Sequence, residues 1–202
     1  SGFGWLVLVY LSMNKSLWLS VVIIRAAGHI IAQKNPDLDK VAAQYATQSF
    51  REFYEMLSLP NDAHFPQDIE RNVQWCEQAF SKRGFATQRL NTPTVPLLLA
   101  ERKVKNGKKT VLIYLQIDGQ PVEPSQWQQE NPWKPTLKEK DVSGNWNTIS
   151  YERLYEGFDP DWRIFSRSTS DAKGPAMAFL AALDAQQSLK IQPNYNIKVI
   201  MD

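Results

Sequence analysis

The run from Thr110 to Gln116 sets Val111, Leu112, Ile113, Tyr114 and Leu115 in unbroken succession. A strand turns alternate side chains to opposite faces, so five apolar residues in a row make both faces apolar. Such a strand is too apolar for a sheet with one face in water, and it points to a layered α/β domain. The flanking sequence agrees. Apolar residues recur at helical spacing over 37–59 (Val41, Tyr45, Phe50, Phe53, Met56 and Leu57) and stop at Pro60-Asn61. A second helix is expected over 67–83, opened by Pro66 and closed by Gly84, with Ile69, Val73, Cys76 and Phe80 as its stripe. Cys76 on that stripe reads as a small core residue. Strand-like runs follow at 85–90, 95–102 and 110–116, and Asn106-Gly107 between the last two signals a hairpin. Beyond a polar stretch rich in Pro and Trp, at 119–165, come a helix of small residues near 172–187 and a last strand at 195–201. The expected fold class is therefore α/β, a layered, mostly parallel sheet flanked by helices.

Residues 1–32 differ in composition from the rest. Two apolar runs, 5–11 and 17–24, flank Met13-Asn14-Lys15-Ser16. From Met13, a short polar start leads into an apolar stretch, then Ala26, Ala27 and Gly28, with Ala32 just before Gln33. That is the layout of a secretory signal peptide. Arg25 inside the apolar stretch and Ile30 three residues before the cut both weaken it. The alternatives are a buried helix and a membrane anchor over 5–24, where Lys15 in mid-span is costly. The expected organisation is a leader at 1–32, with its start at Met13 and residues 1–12 upstream of it, followed by a folded portion at 33–202. A periplasmic or secreted protein follows, or a membrane-anchored one if the leader is retained. Lys15 and Arg25, with no acid beside them in the leader, account for the whole net charge of +2. The remainder is electrically balanced, so nothing in it draws nucleic acid or another polyanion. One cysteine excludes an internal disulfide and any Cys-rich zinc motif.

Three segments carry a family resemblance. The first is Val111-Leu112-Ile113-Tyr114-Leu115-Gln116-Ile117-Asp118-Gly119-Gln120-Pro121-Val122. The second is Trp127 with Pro132-Trp133-Lys134-Pro135. The third is Arg167-Ser168-Thr169-Ser170-Asp171-Ala172-Lys173-Gly174-Pro175. Taken in order over 37–202 they resemble the zinc-dependent exopeptidases of the aminoacylase, carnosine dipeptidase and succinyl-diaminopimelate desuccinylase family. In that family a strand ends in His-x-Asp-x-x-Pro, and a later Gly-Arg-Gly-x-x-Asp-x-Lys-Gly-Pro opens a helix.

The resemblance implies hydrolysis of the peptide bond of short peptides, with two zinc ions, or other divalent metals, activating a water. It matches Asp171 to the carboxylate that bridges the metals and Asp118 to the catalytic-site Asp that orients the first metal-binding His. Gln116 stands where that His would be, and an amide oxygen is a weaker zinc ligand than imidazole. Ser166-Arg167-Ser168 replaces Gly-Arg-Gly and removes two flexible positions. A stretch of about 20 residues near 138–162 has no counterpart in compact members and exceeds ordinary loop length. The family's catalytic Glu, its remaining ligands and a lid domain through which homodimers form would lie past Asp202. The chain therefore reads as the amino-terminal part of a catalytic domain. Two other readings stand beside it: a homologue that has lost catalysis, favoured by Gln116, and an amidohydrolase acting on N-acyl amino acids.

Bland roles compete at each position. Asp118 and Asp171 could be solvated loop carboxylates, and His64 a solvated loop histidine. Lys173 reads as solvated or locally capping. Trp127, Trp133, Trp146 and Trp162 either anchor the long 119–165 stretch or line a substrate rim.

Overall fold

The computed structural model describes residues 37–202. The expected leader lies outside them. Helix α1 (Leu38–Leu57) starts where the Asp37 side chain accepts a hydrogen bond from the Lys40 backbone N–H at 3.3 Å, filling one of the helix's orphan donors. Helix α2 (Pro66–Lys82) carries Pro66 in its first turn, where no backbone donor is needed. Helix α3 (Gly174–Ser188) is the small-residue helix. All three stand within two residues of their expected bounds. No helix among the described residues is long and apolar enough to cross a membrane.

Strands β1 (Ala86–Leu90), β2 (Leu97–Arg102), β3 (Thr110–Leu115) and β7 (Asn196–Met201) form a four-stranded sheet in the order β1-β2-β7-β3. The pairings of β1 with β2 and of β2 with β7 are antiparallel, and that of β7 with β3 is parallel. The layered α/β class holds, but the sheet is mixed rather than mostly parallel. The cause is local: β2 follows β1 after a short connection and pairs back on it, whereas β7 reaches the sheet only after α3, a crossover that favours parallel pairing with β3.

Asn106-Gly107 does form a turn, with Asn106 at φ 65°, yet no hairpin results. β7 lies between the two strands that the turn connects. The Asn196 side chain at the start of β7 accepts from the Val104 N–H at 3.0 Å and so fastens that turn.

One face of the sheet carries Leu98, Ala100, Ile197, Val199 and Met201, all buried with Met56, Leu57, Val73, Cys76, Phe80 and Leu180 from the helices. Burial there pushes the Cys76 thiol up to about 12, consistent with an inert core residue. The other face is open. Leu112 and Tyr114 on β3 are 61% and 58% exposed, so the strand expected to be covered on both sides is an edge strand with one face uncovered among the described residues.

The 119–165 stretch holds structure of its own. Strands β4 (Thr136–Lys140), β5 (Trp146–Ile149) and β6 (Arg163–Phe165) form an antiparallel sheet in the order β5-β4-β6. It docks on α1 through Leu137, Tyr151 and Leu154, and the Tyr151 ring meets Tyr54 edge-on at 4.8 Å. Trp162 packs on this second core and so anchors the stretch, whereas Trp146 is exposed and meets Phe165 of the same stretch at 5.2 Å.

Candidate active site

β3 and the parallel β7 end side by side, at the edge where α/β folds gather ligands. Asp202 follows β7, and its carboxylate accepts from the Tyr114 hydroxyl at 2.7 Å. Past β3 the chain runs through Gln116, buried Ile117, Asp118 and Gly119. Two further segments close on that corner: the loop after α1, with Asn61, Asp62 and His64, and the loop before α3, with Ser166 to Asp171.

Asn61 joins the three. Its side-chain N–H donates to the Ile117 carbonyl at 2.8 Å, its backbone carbonyl accepts from Gly119 N–H at 2.7 Å, and its side chain bonds Ser168 Oγ at 3.1 Å. The packing is close enough that a Cβ on Gly119 would meet Ser168 Oγ at 2.5 Å, which requires glycine there. Ser168 holds φ 61°, the left-handed region that favours glycine. Its bond to Asn61 holds that conformation in place of the flexibility that Gly would bring.

The turn Thr169–Lys173 then leads into α3, and the Asp171–Ala172 peptide bond is cis. A Cβ on Gly174 would lie 2.3 Å from the Thr169 carbonyl oxygen. Glycine is therefore needed where that turn meets the helix. Lys173 is neither solvated nor a local cap. It is fully buried and its ammonium donates to the Met56 and Leu59 carbonyls, at 2.7 and 2.5 Å, closing the carboxyl end of α1. Burial pulls its pKa down to about 7.

Gln116, Asp118 and Asp171, the three site residues expected from the motifs, line one cleft of about 350 Å³ with Asp62, His64 and Arg167. Sequence reasoning missed Asp62 and Arg167 and set His64 aside. Their only signal was the loop that follows Pro60, and spacing along the chain does not show that it folds over the end of β3. Asp62 Oδ1 accepts from the His64 backbone N–H at 2.9 Å and stands 2.8 Å from His64 Nδ1. An ionised carboxylate only accepts, so Nδ1 carries the proton. Burial pushes the Asp62 carboxyl up, but the His64 hydrogen bonds and the charges of His64 and Arg167 outweigh it and hold Asp62 below the usual range. Asp118 is shifted upward by burial, with Asp202 and Asp171 adding repulsion and a backbone hydrogen bond opposing them. The cleft thus holds charges of both signs: Asp118 is crowded by Asp202 and Asp171, and Arg167 stands near an already engaged Asp62.

The donor chemistry does not fit a two-zinc centre by itself. Among the described residues no three His, Cys, Asp or Glu side chains stand close enough together to hold a metal ion, and Gln116 offers a neutral amide in place of an imidazole.

No family model matches the sequence, and no curated protein matches it significantly. Solved structures do match. Human carnosine dipeptidase 1 shares 22% identity at a TM-score of 0.59, covering 81% of this chain and 34% of its own. An M20 family metallo-carboxypeptidase from Sulfolobus solfataricus shares 27% at 0.57, covering 77% and 30%. The di-peptidase Dug1p from Saccharomyces cerevisiae shares 17% at 0.57, covering 81% and 34%. The chain spans about a third of the length of these structures. Its fold is that of M20 metallo-peptidases, as the resemblance in sequence implied.

Proposed function

We propose that this chain is the amino-terminal portion of the catalytic domain of a hydrolase that cleaves the peptide bond of short peptides. The observation that carries the reading is the convergence of Gln116, Asp118 and Asp171 on one cleft at the ends of β3 and β7, in a fold shared with three peptidases. Within that cleft the chain's own groups bind and orient. The Asp118 and Asp171 carboxylates attract a cationic group, and their mutual repulsion falls when one arrives. Asn61 holds the loops that carry both acids at fixed spacing, the kind of preorganisation hydrolysis needs. Divalent metal would supply activation of a water, and its remaining donors must come from outside the described residues.

A second reading, a homologue that binds peptides without cleaving them, is favoured by Gln116 and by the absence of a three-donor cluster among the described residues. Dipeptide and N-acyl amino acid hydrolysis by the full-length gene product, with zinc or manganese added, separates the two. Under the hydrolase reading, turnover is chelator-sensitive, Asp171→Ala abolishes it, and the 202-residue chain alone shows none. Turnover and metal content both unchanged in Asp171→Ala would overturn that reading. The leader supports export, with a mature form beginning near Gln33 that intact mass of the exported fraction would reveal. A species retaining residues 13–32 in the membrane would point to the anchor.

A further inference from the structure

The small antiparallel sheet has two unlike faces. One docks on α1 through Leu137. Residues paired across strands point the same way, so the other face takes Lys138 and Lys140 from β4, Trp146 and Thr148 from β5, and Arg163 and Phe165 from β6. Three cations stand on it and no acid. The charge of residues 33–202 balances overall, but it is not evenly spread. The neighbouring acids of β4 and its flanks are engaged elsewhere. Glu139, on the docked face, lies 3.6 Å from Arg153, Glu130 pairs with Lys134, and Asp141 accepts from the Ser143 and Asn145 N–H groups.

Lys138 is the anomaly. It is only 9% exposed, and buried lysines are ordinarily paired. Arg83 shows the usual state, bonding Glu52 at 2.7 Å and Asp184 at 2.6 Å. The Lys138 ammonium instead rests 4.6 Å over the Phe165 ring, and no acceptor among the described residues meets it. Register sets it opposite Arg163, a like-charge pair that costs stability. The Arg163 guanidinium bonds the Pro160 and Trp162 carbonyls at 2.5 and 2.7 Å, which leaves its charge uncancelled. The Lys138 ammonium is not sealed from solvent, and Lys138 lines a groove of about 760 Å³ between this face and the 126–129 loop. The groove shares no residue with the cleft at the ends of β3 and β7. Its loop wall is fixed, because the Gln129 amide donates to the Lys134 and Phe165 carbonyls at 3.1 and 3.4 Å.

Uncancelled cations call for an anion. The Gln126, Gln128 and Asn145 amides and the Thr148 hydroxyl also line the groove. Such groups both donate and accept, which suits a ligand rich in hydroxyls. Ammonium groups lie over Trp146, at 4.9 Å, and over Phe165, leaving Trp127 as the ring in the groove that no cation covers. One open indole serves the apolar face of a sugar ring, whereas a single nucleic-acid strand stacks successive bases on several. An acidic peptide brings the charge without such a ring.

We propose that this groove binds an acidic oligosaccharide, with its carboxylate or sulfate groups at Lys138 and Arg163 and a sugar ring against Trp127. The site stands apart from the hydrolase reading, and loss of either leaves the other intact.

Calorimetry on the full-length gene product would compare a galacturonate oligomer, a sulfated dextran oligomer, an uncharged maltose oligomer, an oligoglutamate peptide and an oligothymidylate. One or both acidic sugars should bind about 10-fold or more tightly than the other three, and the one preferred tells carboxylate from sulfate. Arg163→Gln and Trp127→Ala should each weaken that binding about 10-fold. Lys138→Gln should erase the preference for acidic over uncharged sugar without lowering Tm, because it ends the repulsion from Arg163. Four results overturn the proposal: no binding of either acidic sugar, equal binding of the uncharged one, oligoglutamate or oligothymidylate binding as tightly, or unchanged binding in folded Arg163→Gln and Trp127→Ala.

Discussion

Asn61 is 1% exposed and holds three segments through one side chain and one carbonyl. Asn61→Ala would leave the Ile117 carbonyl without that donor and remove the partner that keeps Ser168 left-handed. Each buried group so stranded costs about 1–3 kcal/mol, so urea denaturation should show a loss of about 2–4 kcal/mol. Beside it, Asp62 has its pKa lowered from an ordinary 3.8. A depressed carboxyl binds fewer protons folded than unfolded, so its contribution is present above the unfolded pKa and is lost as pH falls through the folded one. Asp62→Asn should therefore lower Tm at pH 7, and the gap to wild type should close below pH 3.8 in a calorimetric pH series; a gap constant with pH would refute the sign. Gln116, Asp118 and Asp171 are legible in the sequence because their spacing belongs to two ordered motifs. Asn61 and Arg167 are not. Their roles arise from loops about a hundred residues apart in sequence meeting at one corner, which no local pattern records.

The helices are legible as elements because their apolar stripes are long and their stops are Pro or Gly. The strand partners are less so. Asn106-Gly107 looks like a hairpin loop, but β7, arriving from almost ninety positions later, takes the place beside β3, and Asn196 holds the displaced turn. The small sheet is hidden for a different reason: β4 and β5 are mostly polar, with only Leu137 and Ile149 as apolar anchors. Their turn is built by the Asp141 carboxylate, which accepts from the Ser143 and Asn145 N–H groups at 2.9 Å each. Docking then depends on Tyr151, which packs on Tyr54 and donates its hydroxyl to the Phe50 carbonyl at 3.2 Å. Tyr151→Ala should cost about 3–5 kcal/mol, as large aromatic truncations do, and the loss should be local. Hydrogen exchange should quicken across β4, β5 and β6 while β2 and β7 stay protected. Uniform loss of protection in both sheets would show instead that the two cores unfold as one.

At the scale of the whole described body, residues 37–202, the three helices share one face of the main sheet and leave the other uncovered. Register puts Leu99, Ile200 and Tyr114 on one rung of that open face, with Glu101, Lys198 and Leu112 on another. The Lys198 ammonium lies 3.5 Å from a Glu101 carboxylate oxygen, which supplies polarity at the centre, while β3 offers only the Thr110 hydroxyl at its start and the Tyr114 hydroxyl, which is bonded to Asp202. Its outward residues, Leu112 and Tyr114, are both more than half exposed, and among the described residues β3 pairs on one side only. An edge strand with free backbone donors and an apolar face is a template for pairing with another chain. It lacks the inward charges, prolines and bulges that usually blunt such an edge. The apolarity read from Thr110 to Gln116 is therefore correct as chemistry, and the covering it implied is missing from the body described. The expected consequence is association: light scattering during gel filtration should show the 202-residue chain growing in mass as its concentration rises. Leu112→Lys places a charge on the exposed face, disturbs no buried contact, and should return the chain to a monomer with its Tm little changed. A chain that stays monomeric at every concentration, or a Leu112→Lys variant that associates as before, would mean that the β3 edge does not drive contact between molecules.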